Sequence, residues 1–306
     1  MIGTVRWAYA KAMSLLRTQA NLDNRLDEIQ FSQGAILAQL ARSRQGNKLS
    51  DFEFKVFSQW GEDGMIQKLI RHIDIPNKAF IEFGVQDFRE SNCRFLLMHD
   101  NWRGLVIDAS KPHIDSIRKS PMGWRHHLDA ICEFIDRDNI NELLARGKFG
   151  NDIGILSVDI DGVDYWILEA IKECSPRILI VEYNSVFGPD RAITVPYDPR
   201  FVRTEKHHSN LYFGASLAAF HHLATARGYS LVGSNSTGSN AFFVRNDQMA
   251  NCPFPALAVA EAYVESLVRE GKDPGGNLTL LAGQARLEAI RGLPVVDVTT
   301  GETQAL

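Results

Sequence analysis

The sequence predicts an α/β fold: a Rossmann-like, doubly wound sheet preceded by a long N-terminal helix. Three observations predict it. Apolar runs at residues 79–84, 104–108, 153–160 and 177–183 alternate with segments of helical spacing, as in a parallel sheet covered on both faces. The runs end in Gly84, Asp108, Asp159 and Glu182, and open sheets carry their sites at strand carboxyl ends. Residues 1–42 have a different, seven-residue period.

In that first segment Ala8, Leu15, Leu22, Ile29 and Ile36 recur at d positions of a heptad. Ala12, Gln19, Leu26, Gln33 and Leu40 recur at a. So polar a helix has little reason to be stable alone, and a coiled coil between copies of the chain would supply the missing burial. The alternative is packing on the chain's own domain. Trp7, Tyr9, Met13 and Leu16, with Arg6, Lys11 and Arg17, could also touch a membrane surface. Residues 43–55 read as a linker, 56–250 as the main domain, and 251–306 as a helical C-terminal extension.

Within the main domain a helix is expected from Gly61 to about His72. The first strand, residues 79–84, follows the turn at Pro76. Residues 91–100 are expected to be helical. A strand at 104–108 and a helix at 111–119 come next. A weaker third strand is expected at 124–128, ending before Asp129, with a helix at 139–145. The fourth strand stops at Asp159, Asp161 and Asp164 and turns into a helix at 163–172. The fifth ends at Glu182. Residues 184–210 hold three prolines and little periodicity, a length and composition typical of a lid or binding loop. A helix at 214–227 precedes two strands, 229–232 and 241–244. Their join is too short for a crossover, so they should be antiparallel. Helices are expected at 256–269 and 278–291, with fraying over the last dozen residues.

Bulk properties narrow the function. The net charge of −4 lends no bulk support to a nucleic-acid partner. Cys93, Cys132, Cys174 and Cys252 lack paired spacing, which fits free thiols in a reducing compartment. No apolar run approaches the ~20 residues of a membrane span. Arg6, Lys11 and Arg17 interrupt any signal-peptide pattern, so a cytoplasmic protein is expected, with peripheral membrane contact left open.

Gly84, in Glu82-Phe-Gly84, lets the chain turn closely against a ligand. One glycine is not the dinucleotide fingerprint, which counts against a nicotinamide enzyme. Asp108, about twenty residues on, can accept from ribose hydroxyls, and Asp129 from an adenine amino group. Acids at successive strand ends point to an adenosyl ligand.

The order of motifs sharpens this. Ser58-Gln-Trp-Gly-Glu-Asp-Gly64, Phe80-Ile-Glu-Phe-Gly84, Glu90-Ser-Asn92, Trp102-Arg-Gly104, Asn139-Ile-Asn-Glu-Leu143, Ser157-Val-Asp-Ile-Asp-Gly162, Asp164-Tyr-Trp166 and Val181-Glu-Tyr-Asn184 resemble the FkbM-like S-adenosylmethionine-dependent methyltransferases. The likeness is greatest to their polysaccharide-biosynthesis relatives. Gly214-Ala-Ser216 and Asn240-Ala-Phe-Phe243 are similar to that group too. The resemblance covers about residues 56–246. Gln86 and Phe88 depart from it, standing where small residues are common. It implies a seven-stranded sheet of order 3-2-1-4-5-7-6, last strand antiparallel, and S-adenosylmethionine as cofactor. It also implies a cofactor set of Gln59, Asp63, Glu82, Gly84, Ser91, Asp108, Ala109, Asp129, Ala130 and Asp159. For Asp63 and Ser91 the alternative is helix capping.

Transfer to a hydroxyl needs an aligned acceptor and a base worth roughly 10²–10⁴-fold. Asp161 and His208 are the candidates for base work, His208 because the pair His207-His208 ends the long loop and histidine titrates near neutrality. Pairs His126-His127 and His221-His222 are weaker candidates. Asp159, Glu182 and Asn184 are oxygen ligands on adjacent strand ends, a set suited to Mg²⁺. Asp164 reads as a helix cap. The expected acceptor is a sugar hydroxyl of a surface polysaccharide or its precursor. Another nucleotide-dependent sugar-modifying enzyme, a dehydrogenase or epimerase, and an inert scaffold of the same fold stay open.

Overall fold

The computed structural model describes residues 2–306, with the side chains of residues 2–5, 8–10, 16, 17, 20, 21, 23 and 24 outside the description. The heptad position Ala8 and the membrane-facing candidates Tyr9, Leu16 and Arg17 therefore lie outside the described side chains. The first element is one helix, α1 (Ile2–Leu40), followed by a short 3-10 turn (Leu49–Phe52). Then come α2 (Glu62–Ile70), β1 (Ala79–Phe83), α3 (Arg94–His99), β2 (Arg103–Asp108), α4 (Lys111–Lys119) and α5 (Pro121–Arg125). They lead to β3 (Leu128–Cys132), α6 (Ile140–Arg146), β4 (Ile155–Val158), α7 (Asp164–Ala170) and β5 (Ile178–Glu182). The long loop holds β6 (Ile193–Thr194) and α8 (Arg203–Lys206). It gives way to α9 (Leu217–Ala226), β7 (Tyr229–Ser234) and β8 (Asn240–Arg245). The C-terminal part contains α10 (Val259–Ala262), α11 (Gln284–Glu288), β9 (Pro294–Asp297) and β10 (Thr303–Ala305).

Seven strands form the main sheet in the order β3-β2-β1-β4-β5-β8-β7. With the short β6 set aside, this is the expected 3-2-1-4-5-7-6. The first five strands are mutually parallel, and β8 runs antiparallel to both β5 and β7. Side chains alternate between two cores because strand side chains point to opposite faces in turn. Ile81, Phe83, Leu156, Leu179 and Phe243 pack with Ile140, Ile167, Leu168 and Phe220 on one face. Phe80, Val106, Ile155, Ile180 and Phe242 pack with Met65, Leu69, Leu96 and Ile114 on the other. This is the doubly wound arrangement, and it gathers every parallel strand's carboxyl end at one edge.

Several expectations need correction. Residues 121–125 are helical, and β3 starts at Leu128 rather than ending there, so Asp129 and Ala130 lie inside a strand. Pro121 at the first helical position, with the Ser120 hydroxyl accepting from the Met122 amide, makes the helix competitive with the strand. The expected linker carries Leu49 and Phe52, both fully buried in the second core. The C-terminal extension is mostly irregular where two long helices were expected. Its end does not fray: β9 pairs with β6 and β10, tying residues 293–306 to the long loop.

The last two turns of α1 pack on the domain. Phe31 and Ala38 join a cluster with Val56, Phe57 and Phe95. A Cβ at Gly34 would lie 2.6 Å from the Val56 side chain, so only glycine lets the helix sit this close. Asp27 pairs with Arg94 at 2.5 Å. Among the described residues no helix is long and apolar enough to cross a membrane.

Candidate functional site

The site grows from Gly84. It adopts φ +70°, and an added Cβ would fall 1.7 Å from the Asp159 carbonyl oxygen. The ends of β1 and β4 can approach only because no side chain stands there. The same turn puts Gln86 at φ 48° and Phe88 at φ 62°, conformations that cost non-glycine residues energy. Two contacts offset that cost. Phe88 is buried and stacks on Phe80, and the Gln86 amide donates to Asp108 Oδ2 at 2.8 Å. Asp108 Oδ1 accepts from the Ser110 amide at 2.7 Å. Asp108 therefore couples the turns after β1 and β2.

A two-lobed cleft opens along the strand ends. One lobe, about 180 Å³, is lined by Gly84, Gln86, Asp108, Ala109, Glu133, Phe134, Ile135 and Phe201. The other, about 290 Å³, is lined by Gln59, Trp60, Glu82, Ser91, Asn92, Glu182, Asn184, Arg203, Asn240, Ser266, Glu270 and Arg286, among others. Gly84, Gln86, Asp159 and Asp161 line both lobes. The two volumes together fall in the range of small-molecule sites, ~300–1,000 Å³.

Glu82 lines the larger lobe. Its carboxylate accepts from Ser91 Oγ at 2.6 Å and from the amides of Asn92 and Cys93. Burial raises it from the usual carboxylate range against those donors. Ser91 Oγ in turn accepts from the Cys93 and Arg94 amides, so it also caps the turn into α3.

Asp159, Asp161 and Glu182 converge at the ends of β4 and β5, each offering an oxygen within 4.8 Å of the others. Burial first, and neighbouring carboxylates second, hold Asp159 and Glu182 well above the usual carboxylate range. Glu182 Oε2 is buried with no hydrogen-bond partner. Asp161, at φ 55°, turns toward Arg203, whose Nη1 lies 2.5 Å from its Oδ1. The oxygen-only donor set fits a hard divalent cation. Asn184, expected as a ligand, spends its amide otherwise: Nδ2 donates to the carbonyls of Leu211 and Phe213, and Oδ1 accepts from the Val186 amide. It fastens the long loop, and Asp161 occupies its expected place.

Other expected residues lie outside the cleft. Asp63 is buried; its Oδ2 accepts from the amides of Val56, Phe57 and Ser58 and from Ser58 Oγ. Burial pushes it up to about 6 despite those bonds. It holds the turn that presents Gln59. Asp129 is exposed within β3, and Glu133 and Phe134 reach the lobe where Asp129 and Ala130 were expected. His208 is exposed beside His207, rings 4.1 Å apart, and lines neither lobe. Asp164 accepts from the amides of Ile160 and Gly162, clamping the turn before α7 rather than capping the helix.

The sequence reading missed Arg203, Glu270 and Arg286. Arg203 lies in the loop flagged by its prolines, but nothing marks that one arginine. Glu270 and Arg286 belong to a segment without a motif. It also missed the role of Glu62. This buried acid accepts from the side-chain amides of Asn235 and Asn240. Asn240 Nδ2 must face it, leaving Asn240 Oδ1 buried, unpartnered and on the lobe's lining. Asn240 pairs across the sheet with Glu182.

No family model and no curated protein matches the chain. Solved structures resemble it remotely. An O-methyltransferase from Bacillus cereus in complex with SAH is 14% identical with a TM-score of 0.32, over 54% of this chain and 72% of that one. A S-adenosylmethionine-dependent methyltransferase from Clostridium acetobutylicum ATCC 824 is 9% identical with a TM-score of 0.39, over 70% and 98%. PKMT2 from Rickettsia typhi in complex with AdoHcy is 10% identical with a TM-score of 0.40, over 66% and 55%. Likenesses this remote fix neither an activity nor any residue's role.

Proposed function

We propose that the chain is a S-adenosylmethionine-dependent methyltransferase that methylates a hydroxyl of a polar acceptor, a sugar of a surface polysaccharide or its precursor. One observation carries the reading. A single cleft runs across the sheet's carboxyl edge, with Asp108 in one lobe, Asp159 and Asp161 lining both, and Glu182 clustered with them in the other. The first lobe suits a nucleoside. Asp108 keeps lone pairs for ribose hydroxyls after accepting its two amides, and Phe134 and Ile135 offer apolar cover for a base. Gln59, Glu82 and Ser91 are the polar groups available to the amino-acid end.

The second lobe suits a polyhydroxylated acceptor. Asn240 Oδ1 and Glu182 Oε2 are neighbouring buried acceptors without donors, and hydroxyls would supply them. Trp60 at the rim offers a face for a sugar ring. With no cation in the cluster, the proton of the acceptor would pass to Asp159 or Glu182, where burial and the neighbouring carboxylates raise proton affinity. Asp161 is engaged by Arg203 and serves better as an orienting group. Asp159, Asp161 and Glu182 would hold a divalent cation, which supplies Lewis acidity at the acceptor oxygen when bound. Arg203 competes for that cluster, so cation and guanidinium are alternatives at Asp161.

The test begins with calorimetry of the purified chain against S-adenosylmethionine. Labelled methyl transfer to cognate glycan fragments follows, with and without chelator. Absence of binding at millimolar cofactor would remove the reading. Chelator-insensitive transfer would remove the cation alone.

A further inference from the structure

The N-terminal helix has two faces of different character, and the geometry separates them sharply. In the heptad frame Asp27, Gly34 and Ala41 occupy b positions, and Phe31 and Ala38 occupy f. These are the residues that meet the chain's own domain: Phe31 and Ala38 in the cluster with Val56 and Phe95, Gly34 against Val56, Asp27 on Arg94. Positions b and f lie opposite the a/d seam. The domain therefore grips the back of the helix. The seam is left in solvent: Leu15, Leu22, Leu26, Ile29, Ile36 and Leu40 are each 56–63% exposed.

Independently of the proposed activity, we infer that this seam is an interface with a second copy of the chain, formed as a parallel coiled coil. A seven-residue apolar period names its own partner, because only a helix of the same period keeps contact with it along its length. The area is adequate. Two copies of the six side chains would remove on the order of 1,000 Å² from water before the flanking residues are added, against about 1,200–2,000 Å² for stable interfaces. The two polar seam residues choose the orientation. Gln19 and Gln33 are both at a, so a parallel in-register pair sets each amide beside its own copy, where they hydrogen-bond. An antiparallel pair would set each against an aliphatic d residue and bury it unpaired. The domains, held on the backs of the two helices, lie on opposite flanks and do not obstruct the pairing.

The test uses the full chain in sedimentation equilibrium at micromolar concentrations. The wild type is expected at the mass of two chains. Ile29→Glu and Ile29→Lys should each raise the dissociation constant by roughly a hundredfold or more, through like charges meeting at d. The domain's own cooperative unfolding transition should persist in both, because Ile29 is exposed and outside the core clusters, while the stability that dimerisation adds, and its dependence on protein concentration, should be lost. Mixing the two variants should restore the dimer. A monomeric wild type would overturn the inference, as would a Glu variant that associates like the wild type. Failure of the mixture to recover would overturn the parallel register. Seam-dependent binding of a monomeric wild type to phosphatidylglycerol vesicles would assign the face to lipid instead.

Discussion

Arg203 bridges Asp161 and Glu270: its Nη1 lies 2.5 Å from Asp161 Oδ1, and its Nη2 lies 2.5 Å from Glu270 Oε1. Its guanidinium also stacks on Phe213, 3.6 Å from the ring centroid. One side chain from the long loop thus joins the end of β4 to the C-terminal extension, across the mouth of the cleft. Bridging two carboxylates with one planar guanidinium over an aromatic face is a role lysine does not reproduce.

Removing that guanidinium should favour a metal ion. In Arg203→Ala the carboxylate cluster loses its competing cation, so Mg²⁺ or Mn²⁺ affinity measured by calorimetry should rise roughly tenfold, about one charged hydrogen bond. Unchanged or weaker cation binding would show that Arg203 and a metal do not compete.

Asp108 should matter for the cofactor and, through the two amides it accepts, for the turns after β1 and β2. Asp108→Asn keeps the size, loses the charge that receives hydroxyl donors and turns an amino group toward one of the two amides. S-adenosylmethionine affinity should fall by roughly 10–100-fold, the worth of a charged hydrogen bond. Asp129→Asn, altered at an exposed position in β3, should bind as the wild type does. Equal losses in both would contradict the assigned geometry.

Gly84→Ala should be more damaging than its size suggests. The methyl would overlap the Asp159 carbonyl in a left-handed conformation, so β1 and β4 must separate at their ends. A loss on the order of 2 kcal/mol or more is expected in chemical denaturation, with cofactor binding abolished. Wild-type stability would mean that the close approach is not required.

Asp63 should leave a signature in stability against pH. Its folded value of about 6 is above the ordinary value of 3.8, because burial outweighs its hydrogen bonds. The neutral form is favoured by folding, so its contribution is fully present below 3.8 and is lost as pH rises through about 6. Asp63→Asn should flatten the decline in stability over that window. An unchanged slope in urea titrations across the window would assign the decline elsewhere.

His208 should be dispensable. It is exposed and outside both lobes, so His208→Ala is expected to keep cofactor affinity and transfer rate within about twofold, the small effect typical of surface changes. A large fall in rate at saturating cofactor would require the loop to close over the cleft.

Much of the frame was legible because it rests on local pattern. Alternating apolar runs and helical spacing are written in neighbouring residues, so four of the five parallel strands and the terminal hairpin could be read from them, whereas the third strand was misplaced and the strand order came from the family resemblance. Gly84, Asp108, Asp159 and Glu182 were legible for the same reason: each directly ends an apolar run. The heptad seam was legible from spacing alone, yet only tertiary packing decided which face of that helix the domain covers. Asp63 shows the limit of reading residue types. An acid beside the cleft in sequence is turned inward, because three backbone amides in residues 56–58 need an acceptor. Asn184 is likewise spent on loop carbonyls distant in the chain. Arg203, Glu270 and Arg286 reach the cleft only because β6 and β9 bring the loop and the C-terminal extension together. Local sequence determined where the strands end. Long-range pairing decided which side chains meet there, because that depends on contacts no short stretch encodes.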